Sequence, residues 1–172
     1  MNVVKGPDSE REEIIRQMIE EHQRPLLRMC YLYLHDVQLA EDAVQETFIK
    51  AYRARDGFRG ASSVKTWLTR IAIRTCMDMR RGFWFRHVER RVTPEMLPDR
   101  AQEAREDESA LTLAVMNLPK KEREVVLLYY YQELNMNEIA DALGVTQPTV
   151  SYRLRRAREK LRRELEGREN HD

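Results

Sequence analysis

Apolar residues recur three and four residues apart through most of the 172-residue chain, the spacing that places them on one face of a helix. The pattern predicts an all-α fold of two small helical domains joined by a flexible linker. We expect the first domain over residues 8–85, the linker over 86–107 and the second domain over 108–167. The linker prediction rests on the stretch 82–107, which contains two prolines and sustains no helical period.

Three helical patterns make up the predicted first domain. The first covers residues 9–34, and Pro25 within it predicts a kink or a break between two helices. The second, 38–52, is apolar on one side and largely acidic on the other. A loop with two glycines and two serines, 56–63, then leads to a third helix, 64–81, with a basic face.

The predicted second domain has two helices before its last pair. The first ends at Pro119, and the second runs from Lys121 to Glu133 with an apolar run buried on most sides. The last pair has the pattern of a helix-turn-helix, which completes a four-helix unit.

The turn chemistry of the helix-turn-helix is specific. Asn135 and Glu138 have the spacing of a capping box at the start of its first helix. Gly144 suits the left-handed conformation that ends a helix. Thr146 can cap the second helix, and Pro148 falls in its first turn, where a missing N–H costs little.

The second helix of this motif presents polar and basic side chains opposite its apolar stripe. A basic helix of this kind predicts recognition of duplex DNA in the major groove. The alternative interpretation is an ordinary helical hairpin with a solvated basic face. The candidate DNA-binding residues are Gln147, Thr149, Ser151, Tyr152, Arg153, Arg155, Arg156 and Arg158.

Composition and charge narrow the possible functions. Apolar residues make up 42% of the chain, but none of its runs approaches the roughly 18 residues that span a bilayer. With no apolar signal core at its start, we expect a cytoplasmic protein in which Cys30 and Cys76 are reduced core thiols. The four histidines form no nucleophile or metal constellation, and there is no phosphate-binding glycine loop. We therefore expect no enzymatic activity, cofactor, metal or small-molecule substrate.

The formal net charge of +1 conceals an alternation of charge along the chain. Residues 8–46 are acidic, 47–91 basic, 92–146 acidic and 147–172 basic. A protein with one DNA-binding face needs one basic block, so two blocks suggest two nucleic-acid surfaces.

Two faces of the first domain have open interpretations. The acidic side of the second helix is either a solvated helix start or a docking ridge for a basic partner, and spacing alone favours the former. The loop serines, an aromatic residue and the basic third helix together are typical of a surface for single-stranded nucleic acid. Trp67, on that helix, is alternatively a core residue.

Taken together, the two halves resemble a sigma factor of bacterial RNA polymerase, of the small extracytoplasmic-function (ECF) type in the sigma-70 family. The resemblance covers residues 10 to 165. It rests on Asp36 and the runs AEDAVQETFIKAY (40–52), VKTWLTRIA (64–72), LPKKEREVV (118–126), EIADALG (138–144) and TVSYRLRRAR (149–158).

The resemblance implies a sigma-2-like and a sigma-4-like domain, the first docking on core RNA polymerase. The partners it implies are the coiled coil of the largest polymerase subunit, the flap, and promoter DNA both duplex and single-stranded. It also implies control by an anti-sigma factor, often membrane-anchored. Implied polymerase contacts are Asp36, Glu41, Asp42, Gln45, Glu46 and Phe48. Implied contacts to the melted minus-ten element are Phe58, Ser62, Ser63, Lys65, Trp67, Arg70, Arg74, Asp78 and Arg81.

The basic helix of the helix-turn-helix would then contact the minus-thirty-five element as duplex. Two positions depart from the family pattern: Arg74 stands where many relatives have Asn, and Pro148 replaces a frequent Gly. The alternative function is a stand-alone helix-turn-helix regulator that binds an operator without polymerase, with the first half as a ligand or dimerisation module.

Overall fold

The computed structural model describes residues 7–81 and 106–169, and residues 82–105, with most of the predicted linker, lie outside these ranges. Within the two ranges the chain is helical and contains no strand, which confirms the predicted all-α fold. The first range holds α1 (Pro7–Leu34), α2 (Val37–Ala54), a short 3₁₀ turn (Arg55–Gly57) and α3 (Val64–Arg81). The second holds α4 (Glu106–Met116), α5 (Lys120–Val126), a π-helical segment (Leu127–Tyr131), α6 (Met136–Leu143) and α7 (Gln147–Glu169).

Helix α1 runs through Pro25. Of the two outcomes predicted there, a kink or a break, the break is therefore wrong. Proline removes one main-chain hydrogen bond from a helix interior, at a cost of about 3 kcal/mol. The residues that follow compensate for this loss, because Leu26, Met29 and Cys30 are all buried against the rest of the domain. The Pro25 carbonyl also accepts a 3.1 Å hydrogen bond from Gln132 Nε2 of the second domain. Tertiary packing therefore outweighs the local preference.

The helix predicted from Lys121 to Glu133 differs from the observed one in its winding. It begins one residue earlier as α5 and changes to π-helical winding from Leu127, where Gln132 N bonds to the Leu127 carbonyl at 3.1 Å. A π segment adds one residue to a turn and so rotates the side chains that follow. Gln132, which follows the segment, is almost completely buried.

The helix-turn-helix forms as its turn chemistry predicts. The Asn135 side chain accepts hydrogen bonds from the first turn of α6, and the Asn135 N–H donates one to the Glu138 carboxylate, completing the capping box. Gly144 has φ of 65° and ends α6 in the left-handed conformation. Thr146 Oγ1 accepts a hydrogen bond from Thr149 N at the start of α7, and Pro148 is in its first turn.

The two halves of the molecule pack against each other. Helix α1 contacts the π segment and α4, while α3 contacts α6. Buried apolar side chains from both halves form one continuous cluster. A buried hydrogen bond joins the Tyr33 hydroxyl to Glu124 Oε1 at 2.9 Å across this boundary. The helix-turn-helix is thereby held against the first domain.

Candidate nucleic-acid and protein interfaces

The acidic side of α2 forms an exposed ridge. Asp36 caps the helix, accepting a 2.8 Å hydrogen bond from Leu39 N. Glu46 is half-buried and pairs with Lys50 at 3.8 Å, one turn along. Phe48, by contrast, is only 7% exposed and lies in the core. Phe48 is therefore not part of the exposed ridge. Its side chain is not accessible in this structure for the predicted contact with polymerase. The exposed members of the ridge along α2 are Glu41, Asp42 and Gln45, and the capping residue Asp36 is exposed as well.

The loop before α3 holds an aromatic pair. Phe58 stacks on Trp67 with ring centroids 4.7 Å apart and planes 30° from parallel, and both residues are half-buried. Ser63 caps α3 by accepting a 3.0 Å hydrogen bond from Thr66 N, whereas Ser62 is half-buried in the loop. The loop thus places partly accessible rings beside the start of the basic helix.

The basic face of α3 is turned toward the second domain. Lys65 Nζ lies 2.7 Å from Glu133 Oε2, and this hydrogen bond, with the charge of Lys65, lowers the pKa of the Glu133 carboxyl. Arg70 pairs with Asp141 at 3.4 Å. Arg74 donates to the main-chain carbonyls of Asp141, at 3.1 Å, and Ala142, at 3.4 Å.

At the far end of α3 the picture is different. Asp78 and Arg81 are exposed, and they face each other one turn apart at 3.9 Å. These two predicted minus-ten residues therefore take no part in the contact between the second domain and the start and middle of α3.

Helix α7 presents most of its predicted DNA-binding residues to solvent. Gln147, Ser151, Tyr152, Arg155 and Arg156 are exposed, and Thr149 and Arg153 are half-buried. The Arg155 guanidinium lies 5.6 Å from the Tyr152 ring centre, so the two side chains form one surface.

Arg158 is exposed but already engaged. It donates a 2.8 Å hydrogen bond to the Tyr130 hydroxyl and lies over the Tyr129 and Tyr130 rings. Arg158 therefore lies on the side of α7 that packs on the π segment. It is beside the other predicted DNA-binding residues, but it is bound by tyrosines of its own domain.

A groove of about 790 Å³ opens on this same flank, between α1 and the second domain. Its floor is apolar and includes Leu111, Val115 and Val126. Two arginines of α1, Arg24 and Arg28, also line the groove, and Arg28 is 5.1 Å from the Tyr131 ring centre. The groove exists only because the two halves are packed together.

No three His, Cys, Asp or Glu side chains in residues 7–81 or 106–169 are grouped as a metal site would require. In the same ranges, no helix combines the length and apolar character needed to cross a membrane. The arrangement is one of binding surfaces: an acidic ridge, a basic helix with an aromatic pair, and a basic helix-turn-helix.

Comparison with family models matches the two halves separately. Residues 18–85 match sigma-70 region 2, and residues 114–163 match sigma-70 region 4. The RNA polymerase sigma-H factor of Pseudomonas aeruginosa is 32% identical, over 87% of this chain and 84% of its own length. The ECF RNA polymerase sigma factor SigM of Mycobacterium tuberculosis is 31% identical, over 87% of this chain and 76% of its own length. The chain belongs to the sigma-70 family, in its ECF group.

Another ECF member, SigG of Mycobacterium tuberculosis, is also 32% identical over 93% of this chain. The chain spans about half of SigG, 51% of its length. Among solved structures, the sigma factor RpoE of Bartonella quintana, in complex with the anti-sigma factor NepR, superposes with a TM-score of 0.72. It is 23% identical, with 88% of this chain and 96% of that chain covered, which supports the sigma-2 and sigma-4 fold.

Sequence reasoning missed the residues of the sigma-4 half that hold α3. Glu133, Glu138 and Asp141 all accept hydrogen bonds or ion pairs from α3. The available signal was the acidic block 92–146, which was interpreted only as a spacer between two basic surfaces. Opposite blocks in one chain also predict that the blocks contact each other.

Proposed function

We propose that this chain is an ECF sigma factor that binds core RNA polymerase and directs promoter recognition, melting and transcription initiation. The ridge on α2 would dock on the coiled coil of the largest polymerase subunit. The loop and α3 would hold the non-template strand of the minus-ten element, and α7 would bind the minus-thirty-five element as duplex. In this role the protein is a transcription factor in the cytoplasm rather than an enzyme.

One observation carries the proposal: a single chain combines an exposed acidic ridge with two separate cationic helices. A factor that binds DNA alone has no need of the ridge formed by Glu41, Asp42 and Gln45. Opening DNA costs about 1.4 kcal/mol per base-pair step, which a chain of this size meets best with help from a larger enzyme. A basic surface with accessible aromatic rings suits an opened strand, whereas a helix-turn-helix suits a closed duplex.

We further propose that an anti-sigma factor controls this protein. RpoE of Bartonella quintana, which shares the fold, was solved in complex with one. The sigma-4 half would also contact the polymerase flap, as the family resemblance implies.

Run-off transcription tests the proposal. Core polymerase on a library of genomic fragments should start RNA synthesis at defined sites only when this protein is added, because core alone lacks promoter recognition. No added transcript on any fragment would refute the proposal. Binding of the protein alone to one palindromic duplex, with no response to core, would support the stand-alone regulator instead.

A further inference from the structure

Three cations that the proposed function assigns to the minus-ten strand are already bound by the sigma-4 half. Lys65 meets the Glu133 carboxylate at 2.7 Å, and Arg70 meets the Asp141 carboxylate at 3.4 Å. Arg74 donates to carbonyl oxygens in the last turn of α6. Thr66, beside them, donates a 3.0 Å hydrogen bond to Glu138 Oε1.

The oxygens in this contact have the chemistry of a nucleic-acid backbone. The three cations are held by two carboxylates and by two carbonyls at a helix C-terminus, which carries a partial negative charge. Phosphate oxygens would attract the same ammonium and guanidinium groups through the same charge-assisted hydrogen bonds. A guanidinium or ammonium group held by Glu133 or Asp141 therefore cannot bind a phosphate in the same place.

The contact is built to be reversible. The Glu133 and Asp141 side chains are 78% and 72% exposed, so water and salt screen both ion pairs. Exposed pairs of this kind contribute little individually. The buried part of the boundary includes Gln132, which accepts a hydrogen bond from Thr69 Oγ1 at 3.2 Å and donates one to the Pro25 carbonyl at 3.1 Å. The exposed ion pairs thus add a small, salt-sensitive contribution to a contact between the two halves that is held mainly by buried side chains.

We propose that Glu133, Asp141 and the C-terminal end of α6 are an internal substitute for the minus-ten strand, which keeps α3 occupied while the two halves are packed together. The inference rests on the proposed role of α3 in binding single-stranded DNA. The free protein then binds a single strand weakly, and any event that separates the halves uncovers the cations. Arg74, the position that departs from the family pattern, belongs to this contact because its longer side chain reaches α6.

The test compares the double variant Glu133→Gln, Asp141→Asn with a matched control, Glu12→Gln, Glu20→Gln. Both pairs remove two exposed acids and change net charge equally, but none of the hydrogen bonds or ion pairs described for α3 involves Glu12 or Glu20. Full-length proteins are titrated with a fluorescein-labelled single strand of mixed sequence at low salt. A second readout is energy transfer between dyes on cysteines introduced at Gln17 of α1 and Arg163 of α7, both exposed, while Cys30 and Cys76 are buried.

The Glu133 and Asp141 variant should bind the single strand about fivefold more tightly than the control, since two competing acceptors are gone. Its energy transfer should also fall relative to the control. Equal affinity and equal energy transfer in the two variants would overturn the proposal. A second result would also overturn the proposal: lower energy transfer in the Glu133 and Asp141 variant, but no single-strand binding by either variant. That result would show that the contact between the halves exists but that α3 does not bind single-stranded DNA.

Discussion

The Tyr33 hydroxyl donates a hydrogen bond to Glu124, joining two buried side chains 91 residues apart. Burial, together with the Glu124 charge, raises the pKa of the Tyr33 phenol, so the donor keeps its proton. Tyr33→Phe removes that donor and leaves the buried carboxylate short of a partner. We expect the free energy of unfolding in urea to fall by about 1–3 kcal/mol.

The matched control is Tyr31→Phe, two residues away on α1. The Tyr31 hydroxyl makes no hydrogen bond within the described part of the chain, so its loss should change the free energy of unfolding by less than about 0.5 kcal/mol. Equal effects of the two substitutions would show that the Tyr33 hydrogen bond contributes nothing specific.

The protein should lose stability as the solution becomes mildly acidic. Burial, aided by the charges of Arg123 and Arg80, lowers the pKa of His35 to about 3. In the unfolded chain the pKa is about 6.5, so between these values the unfolded state binds more protons. This contribution to stability is complete above about pH 6.5 and declines below it, by at most about 1.4 kcal/mol per pH unit.

Urea unfolding of wild type and His35→Asn at about pH 7.5 and about pH 5.5 checks this dependence. Asn is a suitable replacement because His35 has φ of 62°, a conformation that Asn tolerates well. The variant should lose less stability than wild type between the two pH values. Parallel losses would exclude His35 as a source of the acid sensitivity.

Two glycines offer a matched test of the turn in the helix-turn-helix. An added Cβ would meet nothing within 4 Å at either Gly144 or Gly167, but only Gly144 has a positive φ. Gly144→Ala should destabilise the protein by about 1–2 kcal/mol through backbone strain. Gly167→Ala, inside α7, should be neutral or stabilising by up to about 1 kcal/mol. Thermal unfolding of both variants is the measurement, and destabilisation of the same size in both would contradict it.

Charge reversal on the ridge should separate polymerase binding from folding. With Asp42→Lys and Glu46→Lys together, the protein should no longer co-purify with core polymerase, because a cationic ridge would repel a basic partner. Its far-ultraviolet circular dichroism should stay native. The control, Glu12→Lys with Glu20→Lys, also reverses two acids of the first domain and should bind core normally. Intact core binding by the ridge variant would exclude the ridge as the docking surface.

Base recognition by α7 should depend on Arg155 and Arg156, which are both exposed, with Arg155 beside the Tyr152 ring. Replacing either with Ala should weaken promoter duplex binding by about 1–3 kcal/mol and relax the preference at the base it contacts. Arg163→Ala, farther along α7, is the control and should leave the preference unchanged. An unaltered promoter preference in the Arg155 and Arg156 variants would show that neither residue contacts bases.

Local signals in the sequence determined the elements and the shape of the helix-turn-helix. The capping box of Asn135 and Glu138 and the cap at Thr146 join residues three positions apart, and the N–H of the left-handed Gly144 bonds to the Ala140 carbonyl four positions back. Interactions of such short range depend little on the rest of the fold. The same holds for the apolar faces of α2 and α7, which follow from helical spacing alone.

Only the tertiary structure decided what the polar residues do where the two halves meet. Arg74 bonds to the end of α6, 67 and 68 residues away, and Gln132 bonds to the Pro25 carbonyl 107 residues away. No helical period encodes such pairs, since they depend on how the helices pack. The continuity of α1 through Pro25 has the same origin: long-range packing supplies free energy that local preferences do not contain.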